Sequence, residues 1–348
     1  MSTLPSGTYN TTYGEDMAIV RTRLQWVLLI GFIVLLLTLP LFIAPRYIYL
    51  AIFMGVGVIA ALGLNILTGY CGQISIGQSV FMAVGAFSAG LLMSKTGVPF
   101  WATIPISGIV AGLSGLVFGI PSLRIKGLYL ALATLAAQFI IAFFITNVLK
   151  AGSGVAIRPP TLGGITFNTD RSFYYIVIVI AIIFTFFAKS IVRSNVGRAF
   201  IAIRDNDIAA EVMGINIFRY KLLAFFIGCF FAGVAGCLWA TYSGLATMDS
   251  YSLTESIWLL GMCVIGGLGS VSGTIMGVVA FRGIQYLVQQ LSPDLGIAFP
   301  SLSSNIVSAF NILILGLVIL LFLMFEPRGL AHRWEIVKTA YRMHPWSY

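Results

Sequence analysis

The chain alternates long apolar runs with short polar connections, a pattern typical of helices that cross a membrane. A helix needs about 20 apolar residues to span the hydrocarbon core. The candidate spans are Trp26–Ala44, Tyr47–Leu67, Ile74–Met93, Pro99–Ile120, Leu128–Leu149, Phe173–Ala188, Leu222–Tyr242, Glu255–Leu268, Val271–Leu291 and Ile306–Phe325. The pattern therefore predicts an all-α polytopic membrane protein with about ten transmembrane helices, in which residues 26–326 form the membrane domain. The segment Glu255–Leu268 is short for a full crossing, so a re-entrant segment is the alternative there.

Glycines interrupt the apolar pattern at two places, and both interruptions share the spacing G-x-x-G-x-x-S. Because a glycine inside a helix costs about 1 kcal/mol relative to alanine, we predict broken or re-entrant segments near residues 68–75 and 266–273. Non-helical backbone inside a membrane is tolerated where protein buries it or where it lines a water-filled cavity. Transporters bind substrates at such breaks, whereas many bundles use small residues for close packing, and the pattern leaves both interpretations open.

Neutral polar side chains accompany the first break, at Gln73, Ser75 and Gln78. A neutral lining suits an amino acid or another small polar solute better than a bare ion. The candidate residues of a substrate pathway are Gly72, Gln73, Ser75, Gly77, Gln78, Gly266, Gly269 and Ser272.

The longest polar interval inside the apolar sequence is Ser194–Lys221, which we call the handle. Its first part carries apolar residues at i, i+3, i+4 and i+7, namely Val196, Ala199, Phe200 and Ile203. This spacing predicts a short helix with one buried face. Asp207 can cap a second short helix, and Gly214 can end it. Two short helices held between two spans suit docking by another protein, although an ordinary solvated loop would carry the same charges.

The composition agrees with a membrane protein, since 59% of the 348 residues are hydrophobic and 9% are charged. Soluble domains carry about 25% charge. The net charge of +9 would suggest nucleic-acid binding in a soluble chain, but Lys and Arg in cytoplasmic loops explain it here. With ten crossings and a cytoplasmic N-terminus, most Lys and Arg residues lie on the inside. We therefore predict cytoplasmic segments at residues 1–25 and 327–348, a cytoplasmic loop at 189–221 that contains the handle, and no nucleic-acid partner.

Arg282 is a basic residue inside a span, where a charge is costly and usually faces the interior of the bundle. At 1.5 Å per residue from the turn near Ser270, Arg282 lies roughly 18 Å and Glu255 roughly 22 Å along the predicted hairpin. We predict a structural ion pair between these two side chains. Contact of Arg282 with a substrate is the alternative.

Several motifs for catalysis and energy coupling are absent. The sequence has no G-x-x-x-x-G-K-[ST] and therefore no P-loop of its own, and it has no G-x-S-x-G nucleophile elbow. Both histidines lie in the tail, so we expect no metal site in the membrane, no bound cofactor and no enzymatic activity. Apart from Glu255, the spans carry none of the deep acids that an ion-coupled transporter needs. Two classes remain, namely a permease driven by another subunit and a passive channel for a small neutral solute.

Five segments resemble the permease subunits of high-affinity branched-chain amino-acid ABC importers, the LivM type. They are LGLNILTGYCGQISIGQSVFMAVGAFSAGLL (Leu62–Leu92), GIPSLRIKGLYLALATLA (Gly119–Ala136), the handle with VGRAFIAIRDNDIAAEVMGINIFRYKLLAF, IGGLGSVSGTIMGV (Ile265–Val278) and EPRGL (Glu326–Leu330). The resemblance covers roughly Val56 to Leu330, and the segments occur in the order that the family shows.

The resemblance implies import of leucine, isoleucine and valine by alternating access across a bacterial or archaeal cytoplasmic (inner) membrane. It also implies membrane lipid around the chain, a second, LivH-like permease subunit, two cytoplasmic ATP-binding subunits that hold the ATP, and a periplasmic substrate-binding protein. Relatives with the same signatures transport urea, short amides or aromatic acids, so these solutes are alternative substrates.

The resemblance also implies that the handle is the region through which the permease couples to the ATPase. The residues that it assigns to this role are Arg198, Arg204, Asp205, Asn206, Ala209, Ala210, Glu211 and Gly214. Val212 and Met213 depart from the small residues that are common in this loop.

Overall fold

The computed structural model describes residues 23–122, 128–149, 151, 154–162, 165–167, 169–298, 304–326 and 328–343. The helices are α1 Arg23–Phe42, α2 Pro45–Leu64, α3 Gln78–Leu91, α4 Phe100–Ser122, α5 Leu128–Phe143, α6 Asp170–Arg193, α7 Asn195–Asp205, α8 Asp207–Val212, α9 Ile217–Ser243, α10 Leu253–Gly266, α11 Val271–Ala298, α12 Ser304–Phe325 and α13 Gly329–Met343. Helices α2, α3 and α5 continue as π-helical turns over Asn65–Tyr70, Leu92–Thr96 and Phe144–Val148, and Met248–Tyr251 forms a 3-10 turn.

Seven helices in the described ranges are long and apolar enough to cross a membrane. An eighth is added if Ile312–Phe325 and Gly329–Thr339, which are bent by 44°, form one span. This confirms the predicted all-α polytopic membrane protein. The count of ten stays a prediction, because α10 has 14 residues, or about 21 Å, and is shorter than the hydrocarbon core. The predicted segment 1–25 lies outside the described residues except for its last three.

Several helix boundaries differ from the predicted ones. Helix α9 begins at Ile217 rather than Leu222, and α11 ends at Ala298 rather than Leu291. Helix α3 begins at Gln78 rather than Ile74, because the chain leaves the helical conformation before Gly72, which has a φ of +73°. Helix α6 extends past both predicted ends, to Asp170 in its first turn and Arg193 in its last. An acid at the start and a base at the end are both favoured by the helix dipole.

Helix α9 lies at the centre of the packing and contacts α2, α3 and α4. Glycines bring α3 and α9 into backbone contact, since a Cβ at Gly85 would overlap the carbonyl of Gly233. In the same way, a Cβ at Gly236 would overlap the carbonyl of Met82. Small residues permit such close approach between membrane helices.

The connections distinguish two sides of the bundle. On the side that we call the far side, strand β1 Val155–Ala156 pairs with β4 Leu245–Ala246, which follows α9. Strands β2 Thr161–Leu162 and β3 Ile165–Thr166 pair with each other. On the handle side, a Cβ at Gly329 of α13 would lie 2.5 Å from the Cα of Gly267. The tail helix α13 therefore begins on the same side as the handle.

Candidate functional site

The handle folds into the short helices α7 and α8, as the sequence predicts. Ser194 caps α7, and its hydroxyl accepts a hydrogen bond from the Gly197 amide at 3.5 Å. The buried residues of the predicted apolar face are Ala199, Phe200 and Ile203, and Val196 is partly buried. This face packs α7 onto the membrane bundle.

The cap of α8 corrects one prediction. The side chain of Asn206, rather than Asp207, accepts a hydrogen bond from the Ala209 amide at 3.1 Å. Asn206 has the extended backbone of an N-cap, and Asp207 is the first helical residue, where the helix dipole favours its charge. Gly214 has a φ of +85° just beyond the end of α8, as predicted.

Most of the predicted coupling residues are exposed, namely Arg198, Arg204, Asp205, Asn206, Ala209, Glu211 and Gly214. Ala210 is buried and anchors α8 against the hydrophobic core. The handle therefore presents polar groups to the solvent while one short side chain holds the second helix in place.

The handle also carries an exposed apolar surface that sequence reasoning missed. This apolar surface consists of Ile208, Val212, Met213 and Phe218, all more than half exposed. Val212 and Met213 are 83% and 84% exposed. The sequence offered one indication of this surface, because these two residues are larger than the small residues common in this loop of the family. Beside them lies a groove of about 460 Å³, lined by Glu211, Gly214, Ile215, Asn216, Ile217, Phe218 and Lys221. Exposed apolar residues grouped in this way are typical of surfaces that bind another molecule.

The two predicted breaks lie side by side on the handle side. The chain is non-helical over 71–77 and again over 267–270. Asn65 joins the two breaks, because its Oδ1 accepts a hydrogen bond from the Gly269 amide at 2.9 Å and its Nδ2 donates to the Ser270 carbonyl at 3.1 Å. Sequence reasoning missed Asn65, although a lone amide inside an apolar run was a usable signal.

The structure brings some of the pathway candidates together and separates others. Gly72 and Gly269 both lie against Arg204 of the handle. Gly266 is buried, and a Cβ there would overlap the carbonyl of Gly273, so this glycine packs α10 against α11. Ser272 is exposed on the handle side, away from the buried polar residues of the first break.

Gln73 and Ser75 lie in the first break, Gln78 is the first residue of α3, and all three are buried. The Gln73 amide group, the Ser75 hydroxyl and the Gln78 carbonyl oxygen have no hydrogen-bond partner among the described protein atoms. Gly77 lets this stretch pass close to α5, since a Cβ there would lie 2.5 Å from the Thr134 carbonyl oxygen. Leaving a buried polar group unpaired costs about 1–3 kcal/mol. The stretch can therefore bind water or a small polar solute.

A buried polar cluster joins the start of α3 to the start of α10. The Ser79 amide donates to Ser256 Oγ at 2.9 Å, and the Ser79 hydroxyl donates to the Ser252 carbonyl at 2.7 Å. Gln138 of α5 donates to the Tyr251 carbonyl at 2.9 Å. Sequence reasoning missed this cluster, although Gln138 interrupts an apolar span and could have indicated it.

Helix α10 begins inside the bundle. The hydroxyl of buried Tyr251 donates to the Gly236 carbonyl at 3.2 Å, at a level about 10 Å before the end of α9. From there the chain runs through α10 to Gly267 on the handle side. The predicted segment Glu255–Leu268 therefore continues from the far side to the handle side rather than returning to the side from which it entered.

Glu255 and Arg282 form an ion pair between α10 and α11. Arg282 is 2% exposed, donates from Nη1 to Gln285 Oε1 at 2.7 Å, and stacks on the Phe53 ring with its Cζ 3.7 Å from the centroid. The Glu255 side chain is 14% exposed. The guanidinium is thus enclosed by protein groups on several sides, which suits a structural role.

Comparisons with known proteins agree with this architecture. The family described as branched-chain amino acid transport system / permease component matches residues 46–323. The high-affinity branched-chain amino acid transport system permease protein LivM of Escherichia coli K12 is 28% identical over 333 residues, which cover 88% of this chain and 75% of the relative. No solved structure gives a significant match to the chain.

More distant relatives include proteins named for different substrates. The probable branched-chain amino acid transport permease protein LivM of Methanocaldococcus jannaschii is 23% identical, covering 80% of this chain and 91% of the relative. The L-arabinose ABC transporter permease protein AraH of Azospirillum brasilense is 25% identical, covering 90% of this chain and 89% of the relative. Since the family match extends over most of the sequence, the chain belongs to the family of branched-chain amino acid transport system permease components.

Proposed function

We propose that the chain is the membrane-spanning permease subunit of an ATP-driven ABC importer for leucine, isoleucine and valine. The family match over residues 46–323 is the observation that carries this proposal. The absence of a P-loop agrees with it, because ATP hydrolysis then belongs to partner subunits. The partners are a second permease subunit, two cytoplasmic ATP-binding subunits and a periplasmic substrate-binding protein, and the handle side faces the cytoplasm.

The proposed mechanism is alternating access. Closure of the ATP-binding subunits moves the handle, and the handle switches a central pathway between outward and inward openings. The adjacency of the handle to both breaks supports this sequence of events. The buried polar groups of Gln73, Ser75 and Gln78 support passage of a polar solute along the first break and the start of α3.

Substrate identity is tested by reconstituting the chain with its four partners in liposomes and measuring uptake of radiolabelled leucine. We expect ATP-dependent accumulation that isoleucine and valine inhibit and that urea, short amides, aromatic acids and L-arabinose do not. Accumulation of one of these other solutes in place of leucine would reassign the substrate. Equilibration of leucine without ATP would favour the passive channel instead.

Docking of the ATPase is predicted to depend on the apolar surface of the handle. We expect Met213→Asp to weaken binding of the ATP-binding subunit by about 30-fold, since loss of a hot-spot residue at the centre of an interface costs about 2 kcal/mol. The measurement is the amount of ATPase recovered with the tagged permease over a series of ATPase concentrations. Leu245→Asp, an exposed leucine on the far side, serves as the matched control and should leave binding unchanged. If Met213→Asp bound the ATPase as tightly as Leu245→Asp, this surface would not be part of the interface.

A further inference from the structure

The side chain of Arg204 is held in a fixed orientation at the end of α7. Arg204 Nε donates a hydrogen bond to Asp205 Oδ1 at 3.0 Å, and Nη2 forms an ion pair with the same oxygen at 3.0 Å. Both side chains are more than one-third exposed, so this ion pair adds little to stability. Its consequence is orientation, because turning the planar guanidinium away from Asp205 would break the hydrogen bond from Nε.

The third nitrogen of Arg204 leaves the handle and contacts the membrane domain. Nη1 donates to the carbonyl oxygen of Gly69 at 2.9 Å. Gly69 lies in the last π-helical turn before the first break, where the backbone begins to leave the helix. The hydrogen bond therefore connects the end of α7 to the start of the first break.

Two glycines with positive φ make room for this arginine. A Cβ at Gly72, where φ is +73°, would lie 3.0 Å from Cγ of Arg204. A Cβ at Gly269, where φ is +78°, would lie 2.9 Å from Nη1. One glycine belongs to the first break and the other to the second, so Arg204 packs between the two.

The two breaks are themselves linked, so a displacement at Gly69 reaches the second break. A Cβ at Gly69 would lie 2.5 Å from the Gly269 nitrogen, so the two backbones are in direct contact there. The Asn65 amide adds hydrogen bonds to the Gly269 nitrogen and the Ser270 carbonyl.

We propose that Arg204 is the positioning residue through which movement of the handle is transmitted to both breaks. The proposal rests on the proposed function, since it requires that a partner moves the handle. It changes the expected role of Arg204, which reaches inward to the breaks, whereas Ile208, Val212, Met213 and Phe218 form the outward apolar surface. Removing the Arg204 guanidinium should leave binding of the ATPase intact. Movement of the handle should then no longer reach the two breaks.

The test compares Arg204→Ala and Arg204→Lys with the wild-type chain, each reconstituted with all partners in liposomes. The measurement is the number of substrate molecules imported per ATP hydrolysed, together with the amount of ATPase bound. We expect this ratio to fall about tenfold or more in Arg204→Ala, because a hydrogen bond to a charged group shifts an equilibrium by that order. Arg204→Lys keeps the charge but lacks the planar fork, so its ratio should also fall. The amount of ATPase bound by each variant should stay within about twofold of the wild-type amount. This change is much smaller than the change expected if a hydrogen bond to a charged group were lost from the ATPase interface.

Arg219→Ala removes an exposed arginine of the same loop and serves as the control, with an unchanged ratio expected. An unchanged ratio in an assembled Arg204→Ala complex would overturn the proposal. So would import and hydrolysis falling in parallel, or failure of Arg204→Lys to assemble, since each indicates a merely structural role. If the wild-type complex itself imports nothing with ATP, the proposed function fails, and that result is independent of the variants.

Discussion

Replacing Arg282 by alanine is expected to lower the free energy of unfolding by about 3–5 kcal/mol, because removing one partner of a buried ion pair leaves the other charge uncompensated. The remaining charge is Glu255, whose side chain is 14% exposed within the bundle. The change also removes the hydrogen bond to Gln285 and the stacking on Phe53. Loss of these contacts adds to the destabilisation and leaves the Gln285 amide oxygen without its donor.

The measurement is thermal and denaturant unfolding of the detergent-solubilised protein, applied to a double-mutant cycle of Arg282→Gln and Glu255→Gln. We expect the double variant to be less destabilised than the sum of the single variants. The matched control is Arg333→Ala, since Arg333 pairs with Glu326 while its side chain is 63% exposed, and its loss should cost less than about 1 kcal/mol. Additive effects at Arg282 and Glu255 would show that the pair contributes no coupling.

The positions of Glu255 and Arg282 could be predicted because they depend on local geometry alone. Both residues are counted from one turn along two consecutive helices, and a helix rises by a constant 1.5 Å per residue. The glycines of the second break mark the turn in the sequence. The structure has its turn at residues 267–270, within the predicted interval, so the two side chains meet at a similar depth.

The two handle helices could also be predicted, but the residue that caps α8 could not. Asn and Asp have similar preferences for the N-cap position, and Asn206 and Asp207 are adjacent. The N-cap is the residue of this pair whose backbone is extended, and Asn206 has φ −158° and ψ 105°. Local propensity does not contain this information.

The adjacency of the two breaks could not be predicted from the sequence either. Their shared glycine spacing indicated irregular backbone at each place but carried no information about the distance between them. The contact depends on Asn65, which joins residues more than 200 positions away in the chain. The family resemblance implied a role for Arg204 in coupling to the ATPase, whereas its hydrogen bond to Gly69 depends on tertiary packing.

Gly85→Ala and Gly236→Ala are each expected to destabilise the protein by about 3 kcal/mol, at the upper end of the usual cost of overpacking a core. At both positions the new methyl group would overlap backbone atoms of the facing helix, at Gly233 and at Met82. A flexible side chain could rotate away, but a helix backbone can only shift as a unit. Helices α3 and α9 would have to separate, and the shift at Gly236 would also strain the hydrogen bond from Tyr251.

The matched control is Gly316→Ala on α12, where a Cβ would meet nothing within 4 Å and the residue is exposed. This change should be neutral or stabilising by up to about 1 kcal/mol, because alanine is the better helix former. Thermal unfolding of the three variants in one detergent separates the loss of backbone contact from the change in helix propensity. If all three variants showed similar stability, close approach of α3 and α9 would be unnecessary for folding.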